Sequence, residues 1–269
     1  DELHWVVHSS GDRTPGSFHL LDVHADGSLA LEHLFDIMPW LDEEQLAPVQ
    51  PISYCARDGL TIHGYLTLPV GVEPAKLPLV VHPHGGPWAR DRFAFDPQTQ
   101  FLASRGLAVL QINFRGSTGY GKEFWQKSFG QWGLAMQDDV TDGVQWAIRQ
   151  GIADPARIAI YGASYGGYAT LSGLTKTPEL YACGISYVGV SNLFTWIQAF
   201  PPYWKPFLEM VYEMVGHPER DVDRWHATSP RFHADRIRAP LLVAQGANDP
   251  RVRKEESDQI VEALRARSV

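Results

Sequence analysis

The chain has 269 residues, 44% of them hydrophobic and 20% charged, enough apolar material for one large domain with a packed core, or one domain with a piece of another. A formal net charge of −8 argues against nucleic acid or an anionic membrane surface as the main partner, and no apolar run approaches the ~20 residues that a membrane span requires. Two cysteines far apart, Cys55 and Cys183, make no disulfide framework, and Cys183 in its apolar surroundings is expected to be a small buried hydrophobe.

The opening Asp1-Glu2 is not a basic leader ahead of an apolar stretch, so a cytoplasmic location is the default expectation. The absence of an initiator Met leaves the start of the gene product open. Residues 1–46 differ from the rest. Segments 5–10, 18–23 and 29–34 read as strands, separated by the turns Gly11-Asp12-Arg13 and Ala25-Asp26-Gly27-Ser28. Three strands alone are marginally stable, so this segment is expected to be the end of a larger β-domain. Segments 52–55 and 60–66 flank Arg57-Asp58-Gly59 and read as a hairpin.

From residue 78 the rhythm changes to strand and helix in alternation, which predicts an α/β domain with a mostly parallel sheet. The strands fall at 79–83, 107–113, 158–161, 184–188 and 241–245, and the helices at 96–105, 135–150, 165–175 and 254–266. Val140, Val144, Ala147 and Ile148 make an apolar stripe at helical spacing, with Gly151 as its stop. Residues 191–235 are rich in aromatics, Pro and His without strand rhythm. They read as a helical excursion that either walls a substrate pocket or is a plain surface helix pair. No repeat of 20–50 residues and no low-complexity tract is present.

Three constellations carry chemistry. The first is Gly162-Ala163-Ser164-Tyr165-Gly166, lying between the apolar strand that ends at Tyr161 and a helix-forming run. This is a G-x-S-x-G nucleophile elbow, a tight turn that holds one serine exposed and strained. The second is His82-Pro83-His84-Gly85-Gly86-Pro87, directly after a strand, where a Gly-Gly turn can aim backbone N–H groups at a developing oxyanion. Pro87 cannot donate, so Gly86 and Tyr165 are the expected donors. A metal reading of His82 and His84 lacks companion ligands at suitable spacing. No metal and no organic cofactor are expected. The third is Gly246-Ala247-Asn248-Asp249-Pro250, which puts Asp249 after the last predicted strand, where an α/β-hydrolase keeps its acid in the order Ser, Asp, His. The same residues would also serve as an ordinary structural turn.

Taken together these residues resemble the prolyl oligopeptidase family of serine peptidases, in its acylaminoacyl-peptidase-like and bacterial dipeptidyl-peptidase-like branch. The resemblance covers residues 47–269. It rests on His84-Gly85-Gly86-Pro87, Asn113-Phe114-Arg115-Gly116-Ser117-Thr118-Gly119-Tyr120-Gly121, Gln137-Asp138-Asp139, Asp154-Pro155-Ala156-Arg157 and Gly162–Tyr168 read as Gly-Ala-Ser-Tyr-Gly-Gly-Tyr. It implies an α/β-hydrolase fold preceded, over residues 1–46, by the last blade of a β-propeller. It implies Ser164 as nucleophile, Asp249 as acid, and the Tyr165 and Gly86 amides as oxyanion donors. Arg115 and its neighbouring glycines would shape a loop, while Asp138 and Asp139 would be caps or surface partners. The implied substrate is a short peptide, cleaved through an acyl-enzyme. A carboxylesterase acting on small esters and a non-catalytic hydrolase-like interaction domain are the alternatives.

The chain departs from that pattern at its end. None of its 11 histidines follows Asp249, although the triad needs an imidazole to take the serine proton. Three explanations compete: the hydrolase domain, 47–269, lacks its C-terminal end; His217, His226 or His233 substitutes; or the fold is not catalytic. The first would leave a strand edge and an apolar face uncovered, so self-association, including a homo-oligomer, is an expected consequence.

Overall fold

The computed structural model describes residues 3–266. Asp1 and Glu2, and the last three of residues 47–269, lie outside the described residues. Strands β1 (His4–Ser9), β2 (Ser17–Val23) and β3 (Leu29–Asp36) pair antiparallel in that order, within two residues of the expected bounds. A short 3-10 turn at Glu43–Gln45 is capped by Asp42, whose side chain accepts from the Glu44 amide. It leads to β4 (Val49–Cys55) and β5 (Thr61–Thr67), the expected hairpin.

Alternation then begins: β6 (Leu77–Val81), α1 (Pro97–Ala103), β7 (Ala108–Asn113), α2 (Lys122–Gln126), α3 (Ala135–Arg149), β8 (Ala153–Ala163), α4 (Tyr165–Lys176) and β9 (Cys183–Tyr187). Next come α5 (Leu193–Gln198), α6 (Leu208–Met214) and α7 (Val222–Thr228), a 3-10 segment at Pro230–Arg236, β10 (Leu241–Ala244) and α8 (Lys254–Arg265). Local chemistry explains several boundaries. Asp96 caps α1 by accepting from the Thr99 amide at 2.7 Å, with Pro97 in the first turn. Val140, Val144 and Ala147 of α3 are buried, as their spacing predicts. The short α2 was not foreseen; five residues show no periodicity. Strand β8 starts five residues early because Leu77 pairs with Ala153 before a register irregularity leading to Leu79 and Ile158.

The main sheet has the order β10-β9-β8-β6-β7-β5-β4. From β7 to β10 its neighbours are parallel, while β5 and β4 add antiparallel. The chain leaves β6 for β7 on one side and returns to β8 on the other. In such sheets the crevice for ligands opens at the carboxyl ends of the strands beside this reversal, here β6 and β8. Among the described residues no helix is long and apolar enough to cross a membrane.

Two expectations need correction. Cys183 is only half-buried, and both cysteines are free thiols. Asp138 is a surface partner, of Arg57 at 3.0 Å and Lys176 at 2.8 Å, but Asp139 is fully buried. It accepts from the Arg115 amide at 2.9 Å, from Nε at 2.8 Å and from Nη2 at 2.7 Å. Burial pushes the Asp139 carboxyl up from its ordinary range, and those bonds oppose the shift. Arg115 also meets Asp58 at 2.8 Å, so the pair ties the β4–β5 turn and the segment after β7 to α3.

Candidate active site

Ser164 joins β8 to α4 with φ 57 and ψ −117, a conformation that non-glycine residues rarely hold. The turn closes because its glycines have no side chain. A Cβ at Gly162 would come within 2.5 Å of the Gly166 backbone, and one at Gly166 within 2.2 Å of the Pro83 carbonyl oxygen. The Ser164 amide donates to the Tyr187 carbonyl at the end of β9, at 2.9 Å, which pins the strained residue to the sheet. Its half-buried hydroxyl makes no hydrogen bond among the described residues.

The loop after β6 lies against this turn. A Cβ at Gly85 would sit 3.2 Å from the Ala163 carbonyl oxygen and 3.7 Å from Ser164 Cβ. Gly86 has φ 121 and is followed by a cis bond to Pro87. Tyr165 is the first residue of α4, where an amide has no intrahelical acceptor. Neither the Gly86 nor the Tyr165 amide is engaged among the described residues. Two unspent donors, one next to Gly85 and one following Ser164 in the chain, thus flank a half-buried, strained serine.

His82 and His84 hold the loop. His82 Nδ1 donates to the Tyr161 carbonyl at 2.8 Å. His84 Nδ1 donates to the Gly85 carbonyl at 2.7 Å, and Nε2 lies 2.8 Å from the Ser117 hydroxyl, which also reaches the Phe114 carbonyl at 2.7 Å. Its ring stacks on Phe114 at 4.3 Å. Burial drives His84 down to about 4, so it is neutral near pH 7. Three of the four ring nitrogens are therefore engaged within the fold, and among the described residues no group of three His, Cys, Asp or Glu could hold a metal ion.

Asp249 follows β10, at the carboxyl end of a strand parallel to β8. Its Oδ1 accepts from the amides of Arg251 at 2.8 Å and Val252 at 3.0 Å, an Asx turn that fixes one oxygen. No direct contact joins it to Ser164 among the described residues. The three candidate substitute histidines are engaged elsewhere. His217 Nδ1 accepts from the Glu219 amide, His226 packs between Phe194 and Phe232, and His233 Nε2 donates to the His226 carbonyl. None of them contacts Ser164 or Asp249 among the described residues.

The excursion from 191 to 235 reaches the elbow through aromatics. Trp132 packs on Tyr165 at 4.7 Å and on Trp196 of α5 at 5.2 Å, and Trp196 meets Phe200 at 5.0 Å. These rings are buried in the core and anchor the excursion to the elbow. Glu256 of α8 locks the excursion in place, accepting from the Ser191 and Asn192 amides at 2.8 Å each and from the Thr195 hydroxyl. Sequence reasoning missed Glu256, since it sits in an acidic helix start that looks solvated. It also missed Val188, a β-branched residue at φ 45 whose amide donates to Ala244; only the small residues around it, Gly184 and Gly189, hint at crowding there.

A parallel sheet with a reversal at β6, and a strained serine at the tip of β8, define an α/β-hydrolase. A model of the prolyl oligopeptidase family matches residues 93–269, and the chain belongs to that family. It is 45% identical over 278 residues to dipeptidyl aminopeptidase BIII of Pseudoxanthomonas mexicana, covering 100% of this chain and 40% of that protein. A puromycin-hydrolysing peptidase of Mycobacterium tuberculosis superposes with a TM-score of 0.87 at 29% identity, covering 99% of this chain and 41% of the other. An acylaminoacyl peptidase in complex with Z-Gly-Gly-Phe-chloromethyl ketone gives a TM-score of 0.85 at 28% identity, covering 99% and 42%. The chain therefore spans about two fifths of the length of the relatives it matches.

Proposed function

We propose that this chain is the hydrolase part of a serine peptidase that cleaves short peptides through an acyl-enzyme. Ser164 attacks the scissile carbonyl carbon, and the Gly86 and Tyr165 amides hold the oxyanion that forms. The leaving amine departs with a proton, and water then releases the acyl group. Asp249 is the acid that orients the imidazole acting on Ser164. Residues 1–46 are the last blade of a β-propeller, whose wall would restrict access and so favour short peptides. The reading invokes no cofactor.

The observation that carries the reading is Ser164 itself. A serine kept in the left-handed region, with its hydroxyl unengaged and two unspent amides beside it, stores strain that structural turns have no reason to keep. The peptidases among the relatives, and the peptide-like chloromethyl ketone bound by one structural neighbour, support a peptide as substrate. The imidazole is not found on Ser164 among the described residues, and the proposal assigns it to the length of such a protein that this chain does not span. That same observation favours a second reading for these residues alone, a hydrolase-like interaction domain without catalysis.

Intact-mass labelling with a fluorophosphonate, beside a Ser164→Ala control, tests both. A single adduct that vanishes in the control is expected wherever the site is complete. A folded chain that never reacts, even within the longer protein, would sink the peptidase reading in favour of the second. For a reactive protein, matched amide and ester substrates separate peptidase from carboxylesterase, because only the amide demands a protonated leaving group.

A further inference from the structure

The loop that carries Gly86 is tied to the chain after β7 at several points. Ser117 lies 2.8 Å from His84 Nε2, the Thr118 amide donates to the Ala89 carbonyl at 2.9 Å, and the Trp88 indole donates to the Ser128 hydroxyl at 3.1 Å. The last tie comes from a buried side chain. Asn113 ends β7 and is fully shielded from solvent. Its Oδ1 accepts from the Asp91 amide at 2.8 Å, and its Nδ2 donates to the Asp91 carbonyl at 3.2 Å. One carboxamide thus pairs with both backbone groups of a single loop residue.

The second Nδ2 hydrogen goes to the Tyr120 hydroxyl at 2.9 Å. Tyr120 is held in turn, with its ring stacked on His63 at 5.0 Å and the Arg90 guanidinium 4.8 Å from its centroid. A carboxamide offers one acceptor atom and two donor hydrogens. Here all are used, which leaves a single orientation, because the reversed group would set donor against donor at the Asp91 amide. Without Asn113, the loop beyond Ala89 and as far as Asp91 would keep only two long contacts among the described residues. These are Arg90 to the Tyr120 hydroxyl and Gln111 to the Asp91 carboxyl, at 3.3 Å each.

We propose that Asn113 is a positioning residue for the oxyanion donor at Gly86: by pairing with both backbone groups of Asp91 it fixes the far end of the loop, and with it the direction of the Gly86 amide. The inference rests on the peptidase reading, in which that amide holds the oxyanion. Asn113 itself touches no substrate and acts through the loop. A donor aimed at developing charge is effective only where the charge forms, and a displacement of about 1 Å can cost about a hundredfold in rate. A carboxylate at position 113 would keep the acceptor for the Asp91 amide and lose both donor bonds, at almost unchanged shape.

The test compares wild type with Asn113→Asp in the longer protein that completes the site. Reactive sites are counted by fluorophosphonate labelling carried to its end point, so that unfolded molecules drop out. Per site, kcat on a peptide amide should fall at least about tenfold, with KM within about twofold. A peptide aldehyde, whose adduct with Ser164 places its oxygen in the oxyanion position, should lose affinity by a similar factor. Val144→Ala, a buried truncation in α3 away from the loop, is the control: it lowers stability and leaves per-site kcat and aldehyde affinity unchanged. Tyr120→Phe frees one Nδ2 hydrogen and should lose about threefold in both readouts, which keeps the inference falsifiable if Asn113→Asp does not fold. Per-site kcat and aldehyde affinity that match those of Val144→Ala, in whichever of the two variants folds, overturn the inference. A wild type that turns over no peptide defeats the peptidase reading instead, and this inference with it.

Discussion

Strands β1–β3 and strands β4–β10 both draw on Leu and Val, yet only the second set hides them. Among the described residues, no hydrophobic residue before Ala47 is buried, while Val6, Leu29, Leu31 and Phe35 stand more than half exposed. In the main sheet, Val81, Leu110, Ile112 and Ile160 are sealed, with helices packed over β7 to β10. Apolar residues are plentiful in both places. What differs is cover: a sheet buries a face only when another layer lies on it, and three strands supply none to themselves. Hydrophobic periodicity therefore reports the element, and not whether this stretch of chain completes its core.

The largest expected effect lies deep in the covered half. Asp139→Ala would leave the Arg115 guanidinium buried beside nothing but the exposed Asp58. Breaking a buried pair in this way costs about 3–5 kcal/mol, and Asp58 pulls the expectation toward the low end. Urea titration measures it, and a loss below about 1 kcal/mol would mean that the pair is not what joins the β4–β5 turn to α3. Next comes a matched truncation. Ile112→Ala should cost about 2–5 kcal/mol, whereas Leu31→Ala should stay within about 0.5 kcal/mol. Equal losses at the two positions would erase the distinction between the sheets.

A pH experiment probes the crevice side of the covered half. Asp91, in the segment after the Gly85-Gly86 loop, is driven up to about 7 by burial first and by the charge of Asp96 second. Its Oδ2 has no partner, while Gln111 donates to Oδ1 at 3.3 Å. The folded chain holds this proton between the ordinary carboxylate value near 4 and about 7, and the unfolded chain does not. Asp91 therefore contributes stability at low pH that is lost as pH rises through that window, with a slope up to about 1.4 kcal/mol per unit. His84, neutral down to about 4, acts with the opposite sign between about 4 and 6.5, so the raw slope is not diagnostic. The difference between wild type and Asp91→Asn isolates the carboxyl. The variant should gain on wild type steadily from pH 5 to 7 and level off above. A flat difference would show that Asp91 titrates normally.

Much of this was legible because the chemistry was local. The elbow needs Gly162 and Gly166 within a few residues of Ser164, and α1 needs Asp96 and Pro97 side by side, so short stretches suffice. Asp139 was misread for the opposite reason: its partner Arg115 lies 24 residues away, and a carboxylate next to Asp138 looks like a solvated face. Glu256 was missed likewise, since the amides it caps, Ser191 and Asn192, come from another layer. The strained Val188 left only Gly184 and Gly189 as a hint, because its amide is held by Ala244, far along the chain.

The smallest effect on stability tests the uncovered half most directly. Leu31 of β3 is solvent-facing, and β10, at the far edge of the main sheet, shows Leu242 at 60% exposure. Both are open strands with apolar side chains, the arrangement that recruits further strands. Leu31→Lys should change the unfolding free energy by less than about 0.5 kcal/mol, since the side chain buries nothing. It should nevertheless lower self-association in sedimentation velocity, because an edge lysine resists pairing. Leu242→Lys makes the same test at β10, where pairing with β9 already fixes one side of the strand. If only the second variant disperses the chain, the contact that matters is the hydrolase edge, and the β1–β3 sheet is a bystander despite its exposed Leu and Val side chains. If neither does, exposure of Leu and Val on these strands does not drive association at all, and the difference between the two sheets is one of stability alone.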